Sequence, residues 1–209
     1  LQSINYVECH DNHTFWDKME IANGHEPEAL RRKRQKLATA IVLLAQGIPF
    51  LHSGQEFYRT KGGDGNSYRA PDAVNRLDWE RKSRYEHDIR YVQGLIALRR
   101  AHGAFRFATE AEVLRHFVFL EPTPPSVIAY QLRDVAVYGP WAEIIVIHHH
   151  EEKRETIFLP DEGEWDVVCD EEQSGTIPLR RVRRALDLDG IGTWVLVRTE
   201  AMNAAEYGG

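Results

Sequence analysis

The sequence predicts an α/β segment followed by an all-β domain, with the change near Phe105. Three observations carry this. Short apolar stretches alternate with helical periodicity over the first hundred or so residues, as in parallel-sheet units. Short β-rich segments separated by turns fill the remainder, as in an antiparallel sandwich. The rhythm changes once, after the helical stop at Gly103.

Ile4, Tyr6 and Val7 read as a short buried strand that runs into Glu8-Cys9-His10-Asp11-Asn12-His13, and Thr14-x-x-Asp17 reads as a capping box opening a helix. This puts His10 and Asp11 at the carboxyl end of a strand, where α/β folds present ligand-binding and catalytic groups. From Glu28 to Gln46, Leu30, Leu37, Ala38, Ile41, Val42, Leu44 and Ala45 follow helical spacing, with Gly47 placed to stop the helix. The run Arg31-Arg32-Lys33-Arg34 reads as a solvated helix face rather than an anion site. Ile48 to Phe57 reads as a second buried strand entering a glycine turn.

Arg59 to Arg84 is rich in Gly, Asp, Asn, Ser and Arg, too long and polar for a plain connector. Tyr85 to His102 predicts a second helix, with Arg99, Arg100 and His102 favouring the negative end of its dipole. Strands are expected at 116–120, 127–132, 143–147, 156–159, 165–169 and 193–197, with Trp165 and Trp194 in the core and a frayed tail over 201–209. His148-His149-His150 continues a strand, so the three side chains alternate and cannot converge on a metal; a solvated strand end is expected.

Composition narrows the function classes. At 43% hydrophobic and 28% charged residues the chain is that of an ordinary soluble globular protein. A formal charge of −6 argues against nucleic acid as a partner. The longest apolar stretch, Leu37 to Phe50, is broken by Thr39, Gln46 and Gly47, so no membrane span is expected. Cys9 and Cys169 are far apart in sequence and indicate neither a disulfide framework nor a cysteine metal site. The start at Leu1, without Met or signal-peptide pattern, reads as an internal cut.

His10-Asp11 supports more than one chemistry. With His13 the pair could ligate a metal, although adjacent residues on a strand end point apart. Alternatively Asp11 is one carboxylate of a glycosidase site and His10 donates to a sugar hydroxyl, contacts that tighten in an oxocarbenium-like transition state. Spacing alone leaves a structural capping pair open as well. Trp16 and Tyr68 neighbour the polar stretches and are placed to stack on sugar rings.

Tyr6-Val7-Glu8-Cys9-His10-Asp11-Asn12-His13-Thr14-Phe15-Trp16-Asp17, Gln46-Gly47-Ile48-Pro49-Phe50-Leu51-His52-Ser53-Gly54-Gln55-Glu56-Phe57, Asn66-Ser67-Tyr68 and Asn75-Arg76-Leu77-Asp78-Trp79 resemble the end of the catalytic barrel in the α-amylase superfamily, and within it bacterial type I pullulanase. The resemblance runs over nearly the whole chain. It implies the last two β/α units of a (β/α)8 TIM barrel over 1–105 and an antiparallel β-sandwich domain over 106–209. It also implies hydrolysis of α-1,6 links in pullulan, amylopectin and limit dextrin with retention.

By the same resemblance Asp11 matches the transition-state stabiliser and His10 the neighbouring hydroxyl-binding histidine. Asn66, Tyr68, Asp72 and Asn75 fall where such enzymes line the glucan cleft, while Cys9 and Asn66 stand where relatives often carry other residues. The family's nucleophilic aspartate and general-acid glutamate lie on earlier strands, so the remaining amino-terminal part of the enzyme is the implied partner. No cofactor is required, calcium in the parent is left open, and a soluble bacterial protein, secreted or cytoplasmic, is expected. A non-catalytic α-glucan-binding or interaction module is the alternative, and a metal-dependent hydrolase on His10, Asp11 and His13 a third reading.

Overall fold

A computed structural model describes residues 3–199; the expected frayed tail lies outside them. The chain opens with β1 (Ile4–Asn5), followed by α1 (Phe15–Asn23) and α2 (Glu28–Leu44), then β2 (Ile48–Pro49). The two strands pair in parallel with Ile4 opposite Ile48, so the expected strand, helix, strand rhythm is real. The expected burial is not. Ile4, Tyr6 and Ile48 are 61%, 56% and 50% exposed, because no third strand among the described residues flanks this two-stranded sheet.

Short helices α3 (Asp72–Asn75) and α4 (Trp79–Arg84) break up the polar segment, and α5 (Glu86–Ala101) follows as the periodicity predicts. Its apolar positions Val92, Leu95 and Leu98 share a core with Leu43 and Leu44 of α2. Arg99 does not serve its own helix end: its guanidinium donates to the carbonyls of Leu43, Ala45 and Gly47 at 2.9, 2.8 and 2.6 Å. It thereby satisfies carbonyls that the end of α2 leaves without intrahelical partners, together with that of Gly47 just beyond the helix.

The Arg31–Arg34 run is not a solvated face. Arg32 Nε donates to the buried Asp88 carboxylate at 2.9 Å, Arg34 makes a two-pronged pair with Glu26 at 2.8 and 2.6 Å, and Arg31 donates to the Glu26 carbonyl at 2.7 Å. The connection between α1 and α2 and helix α5 supply the partners, which sequence spacing does not show.

A short helix, α6 (Glu110–His116), leads into the sheet; its reciprocal Thr109/Glu112 capping box went unread in the sequence. The strands are β3 (Phe117–Phe119), β4 (Val127–Leu132), β5 (Glu143–His149), β6 (Glu155–Phe158), β7 (Glu164–Cys169), β8 (Arg180–Arg183), β9 (Ala185–Leu188) and β10 (Gly192–Arg198). Six of them form an antiparallel sheet ordered β3-β4-β5-β10-β7-β8, and β6 and β9 form a separate antiparallel pair. Strands β8 and β9 were not expected, because β8 is nearly all arginine. Its partners are cross-strand carboxylates: Arg181 pairs with Asp166 at 2.8 Å and with Glu164 at 3.1 Å.

Strands β5 and β10 are buried at every position, since the sheet is covered on both faces. Ile144, Val146, Val195 and Val197 pack with α2 and α5, whereas Ile145, Ile147, Trp194 and Leu196 pack with Trp165 and with Ile157, Leu186 and Leu188 of the β6/β9 pair. Strict alternation sends successive residues to opposite cores. Trp165 and Trp194 are core residues, as expected. His148 and His149 do alternate, but they are 7% and 0% exposed, which corrects the expected solvated strand end. Each finds a partner within its half of the sheet: His148 Nδ1 meets Thr193 Oγ1 at 2.9 Å and His149 Nδ1 donates to the Gly190 carbonyl at 2.8 Å.

Candidate active site

The candidate site is an irregular turn between β1 and α1. Because β1 ends at Asn5, His10 and Asp11 do not sit on the strand end itself; they project from the bend that follows, with side chains 85% and 69% exposed. The two do not point apart as strand neighbours would: His10 Nε2 lies 3.5 Å from Asp11 Oδ1. Asn12 next to them has φ of 60°, a left-handed conformation that Asn tolerates better than most residues.

Helix α1 begins as the sequence implies, with the Asp17 N–H donating to Thr14 Oγ1 at 3.1 Å. The return bond of a capping box is absent. Asp17, fully buried, instead accepts from Thr60 Oγ1 at 2.5 Å and from the Lys61 N–H at 2.8 Å, which ties the loop after β2 to this helix. Glu8 caps a different donor at this helix start: it accepts the N–H of Phe15, the first helical residue, at 2.5 Å.

Glu8 also faces His52 Nδ1 at 3.0 Å, and Arg59 Nη1 lies 3.0 Å from His52 Nε2. Arginine can only donate, so Nε2 accepts and Nδ1 carries the proton given to Glu8. Arg59 Nη2 further donates to the Asn75 carbonyl at 2.6 Å. Glu8, His52 and Arg59 thus connect the turn to the 66–75 segment. Sequence reading missed all three, and Lys61 with them; the only signal was Glu8, a carboxylate inside an apolar strand pattern.

The remaining candidates divide. Asn66, Tyr68 and Asp72 are exposed, Tyr68 at 72% with Arg69 over its ring at 5.1 Å. Asn75 is half-buried and its amide donates to the carbonyls of Ser67 and Ala70 at 2.7 and 3.2 Å, so that group shapes the loop. Trp16 is corrected: at 3% exposure it lies beneath the guanidinium groups of Arg31 and Arg81, 5.4 and 5.7 Å from its ring, and cannot stack on a sugar. The first turn of α1 rotates it inward, onto Tyr58. His13 leaves the imagined metal trio to pack on Gly65; Cys9, His10 and Asp11 have ligand atoms within 4.8 Å of one another instead.

An α/β segment that displays His and Asp on the turn after its first strand is thus joined to a two-sided antiparallel sheet. Residues 113–173 match the family described as "Pullulanase, all-beta domain". The relationship continues beyond that segment and is to the pullulanases, type I in particular. The chain is 46% identical over 195 residues to pullulanase of Bacillus subtilis (strain 168), covering 93% of this chain and 27% of that protein.

The crystal structure of pullulanase from Anoxybacillus sp. LM18-11 complexed with maltotetraose superposes with a TM-score of 0.88 at 58% identity, over 94% of this chain and 28% of that one. That of pullulanase type I from Bacillus subtilis str. 168 complexed with maltose gives 0.91 at 45% identity, over 95% and 28%. The chain therefore spans about a quarter of the length of the relatives it matches.

Proposed function

We propose that this chain is the carboxyl-terminal part of an enzyme that hydrolyses α-1,6-glucosidic bonds in pullulan and branched glucans with retention. Residues 1–105 supply the last two β/α units of a (β/α)8 barrel and residues 106–209 a β-sandwich domain. The parallel register of β1 with β2 and the two-sided sheet support that division. One observation carries the reading: exposed His10 and Asp11 stand 3.5 Å apart on the turn after β1, in a chain 58% identical to a pullulanase whose crystals hold maltotetraose.

In this reading Asp11 binds ring hydroxyls of the sugar at the cleaved bond, and His10 donates to a neighbouring hydroxyl. Such contacts strengthen as the ring flattens toward the oxocarbenium ion and can supply several kcal/mol. Asn66, Tyr68, Asp72 and Asn75 border the bound glucan. A retaining mechanism also needs a nucleophile and a general acid about 5 Å apart. No residue of this chain fills either role by motif, so the remaining amino-terminal part of the enzyme provides both.

The test is direct. The pure 209-residue chain should release no reducing ends from pullulan, and activity should appear when the remainder of the enzyme is supplied as a second chain or a longer parent. Asp11→Ala should cut that activity to a small residual rate. Turnover by the isolated chain that Asp11→Ala abolishes would overturn the division of labour. Glucan affinity unchanged by Asp11→Ala, with no turnover in the completed enzyme, would leave only a binding module.

A further inference from the structure

Lys61 is among the few lysines that the fold buries: it is 4% exposed. Its ammonium has no carboxylate within salt-bridge distance among the described residues. Nζ instead donates to two backbone carbonyls, those of His10 at 2.6 Å and Asn12 at 3.1 Å. These are the carbonyls on either side of Asp11. The one at Asn12 belongs to the residue held at φ of 60°.

Burying a cation costs free energy unless it is hydrogen-bonded, so its position needs an explanation beyond packing. The other end of the residue is held too. The Lys61 N–H is taken by Asp17, which is itself in the first turn of α1, and Thr60 adds its hydroxyl to the same carboxylate. Backbone anchor and side-chain tip together bridge α1, the loop after β2 and the turn that carries the exposed pair.

We propose that Lys61 is the positioning residue of the site: its ammonium clamps the His10–Asn12 turn and thereby sets where the Asp11 carboxylate meets the substrate. The inference rests on the catalytic reading of Asp11 given above. Lys61 acts through the turn and needs no contact with sugar. The clamp suits the task because Asp11 is itself exposed, with no side-chain partner but His10 among the described residues, and a carboxylate displaced by about 1 Å can cost on the order of a hundredfold in rate.

The experiment is a double-mutant cycle in the complete enzyme that contains this chain, with pullulan as substrate and kcat and KM measured separately. Lys61→Met keeps the length of the stem and removes the donors. It should lower kcat about ten- to a hundredfold with a smaller change in KM, since positioning is expressed at the reacting centre. In the Asp11→Ala background the same substitution should change the residual rate less than about twofold, because coupled residues are not additive.

A merely structural lysine would lower the activity of both backgrounds by the same factor, and that result overturns the clamp, as does an unchanged kcat for Lys61→Met. Should Lys61→Met fail to fold, Lys61→Gln carries the same cycle: it keeps a polar group in the site but is one atom too short to reach both carbonyls. Wild-type enzyme with no turnover of pullulan sinks the functional reading itself. Wild-type turnover without coupling between Lys61 and Asp11 sinks only the clamp.

Discussion

Gly94 of α5 and Ser174, in the connection between β7 and β8, meet backbone to backbone: a Cβ added at Gly94 would stand 2.1 Å from the Ser174 carbonyl oxygen. Ser174 Oγ in turn donates to the Tyr91 carbonyl, one helical turn earlier. The helical part and the sheet are joined here by a close backbone approach and one serine hydroxyl.

Gly94→Ala is therefore expected to destabilise. Helix propensity alone would favour alanine by about 1 kcal/mol, but forcing backbone atoms apart in a packed contact costs about 3 kcal/mol. The clash wins, and the midpoint of urea unfolding should fall. A midpoint at or above that of the wild type would mean that the contact yields easily.

Arg99→Met should cost about 3 kcal/mol in the same assay. It leaves the carbonyls of Leu43, Ala45 and Gly47 without their charged donor, and hydrogen bonds to charged groups are each worth about 1.5–3 kcal/mol without being additive. Arg99→Lys should recover only part, because a single ammonium cannot reproduce the planar fork that reaches three acceptors. Full recovery by lysine would show that charge, not geometry, matters.

His148 should make stability fall with acidity. Burial pushes its imidazole down from 6.5 to about 4. The folded pKa is the depressed one, so the unfolded chain binds the proton first as the pH falls. The contribution is fully present above 6.5 and is lost progressively toward about 4. Across that window the stability of the wild type relative to His148→Gln should drop by up to about 3 kcal/mol. His102, also held low by burial, sits in both proteins and cancels in the difference. Parallel pH profiles for the two proteins would refute the assignment.

How much was legible varies with the kind of pattern. Helices α2 and α5, strand β4 and the core tryptophans were readable because apolar periodicity records burial directly. Strand β8 was not, because its order comes from arginines facing Glu164 and Asp166 on a neighbouring strand. Trp16 looked like a sugar platform since it adjoins the polar turn, and only the rotation of α1 and the arginines above it show otherwise. The histidines of β5 looked solvated because nothing nearby in sequence announces Thr193 and Gly190 as their partners.

By itself the sequence determined the change from an α/β segment to β-rich strands, the long helices α2 and α5, and the relationship to type I pullulanase, and it singled out His10-Asp11 as the candidate pair. Each of these is written in local spacing or in a run of adjacent residues. Tertiary structure alone decided what holds that pair in place: Glu8 with His52, Asp17 with Lys61, and the Lys61 ammonium on the carbonyls flanking Asp11. The physical reason is distance along the chain. Those contacts join residues more than forty positions apart, and a buried polar group reveals its partner only when the fold removes the water that would otherwise have served it.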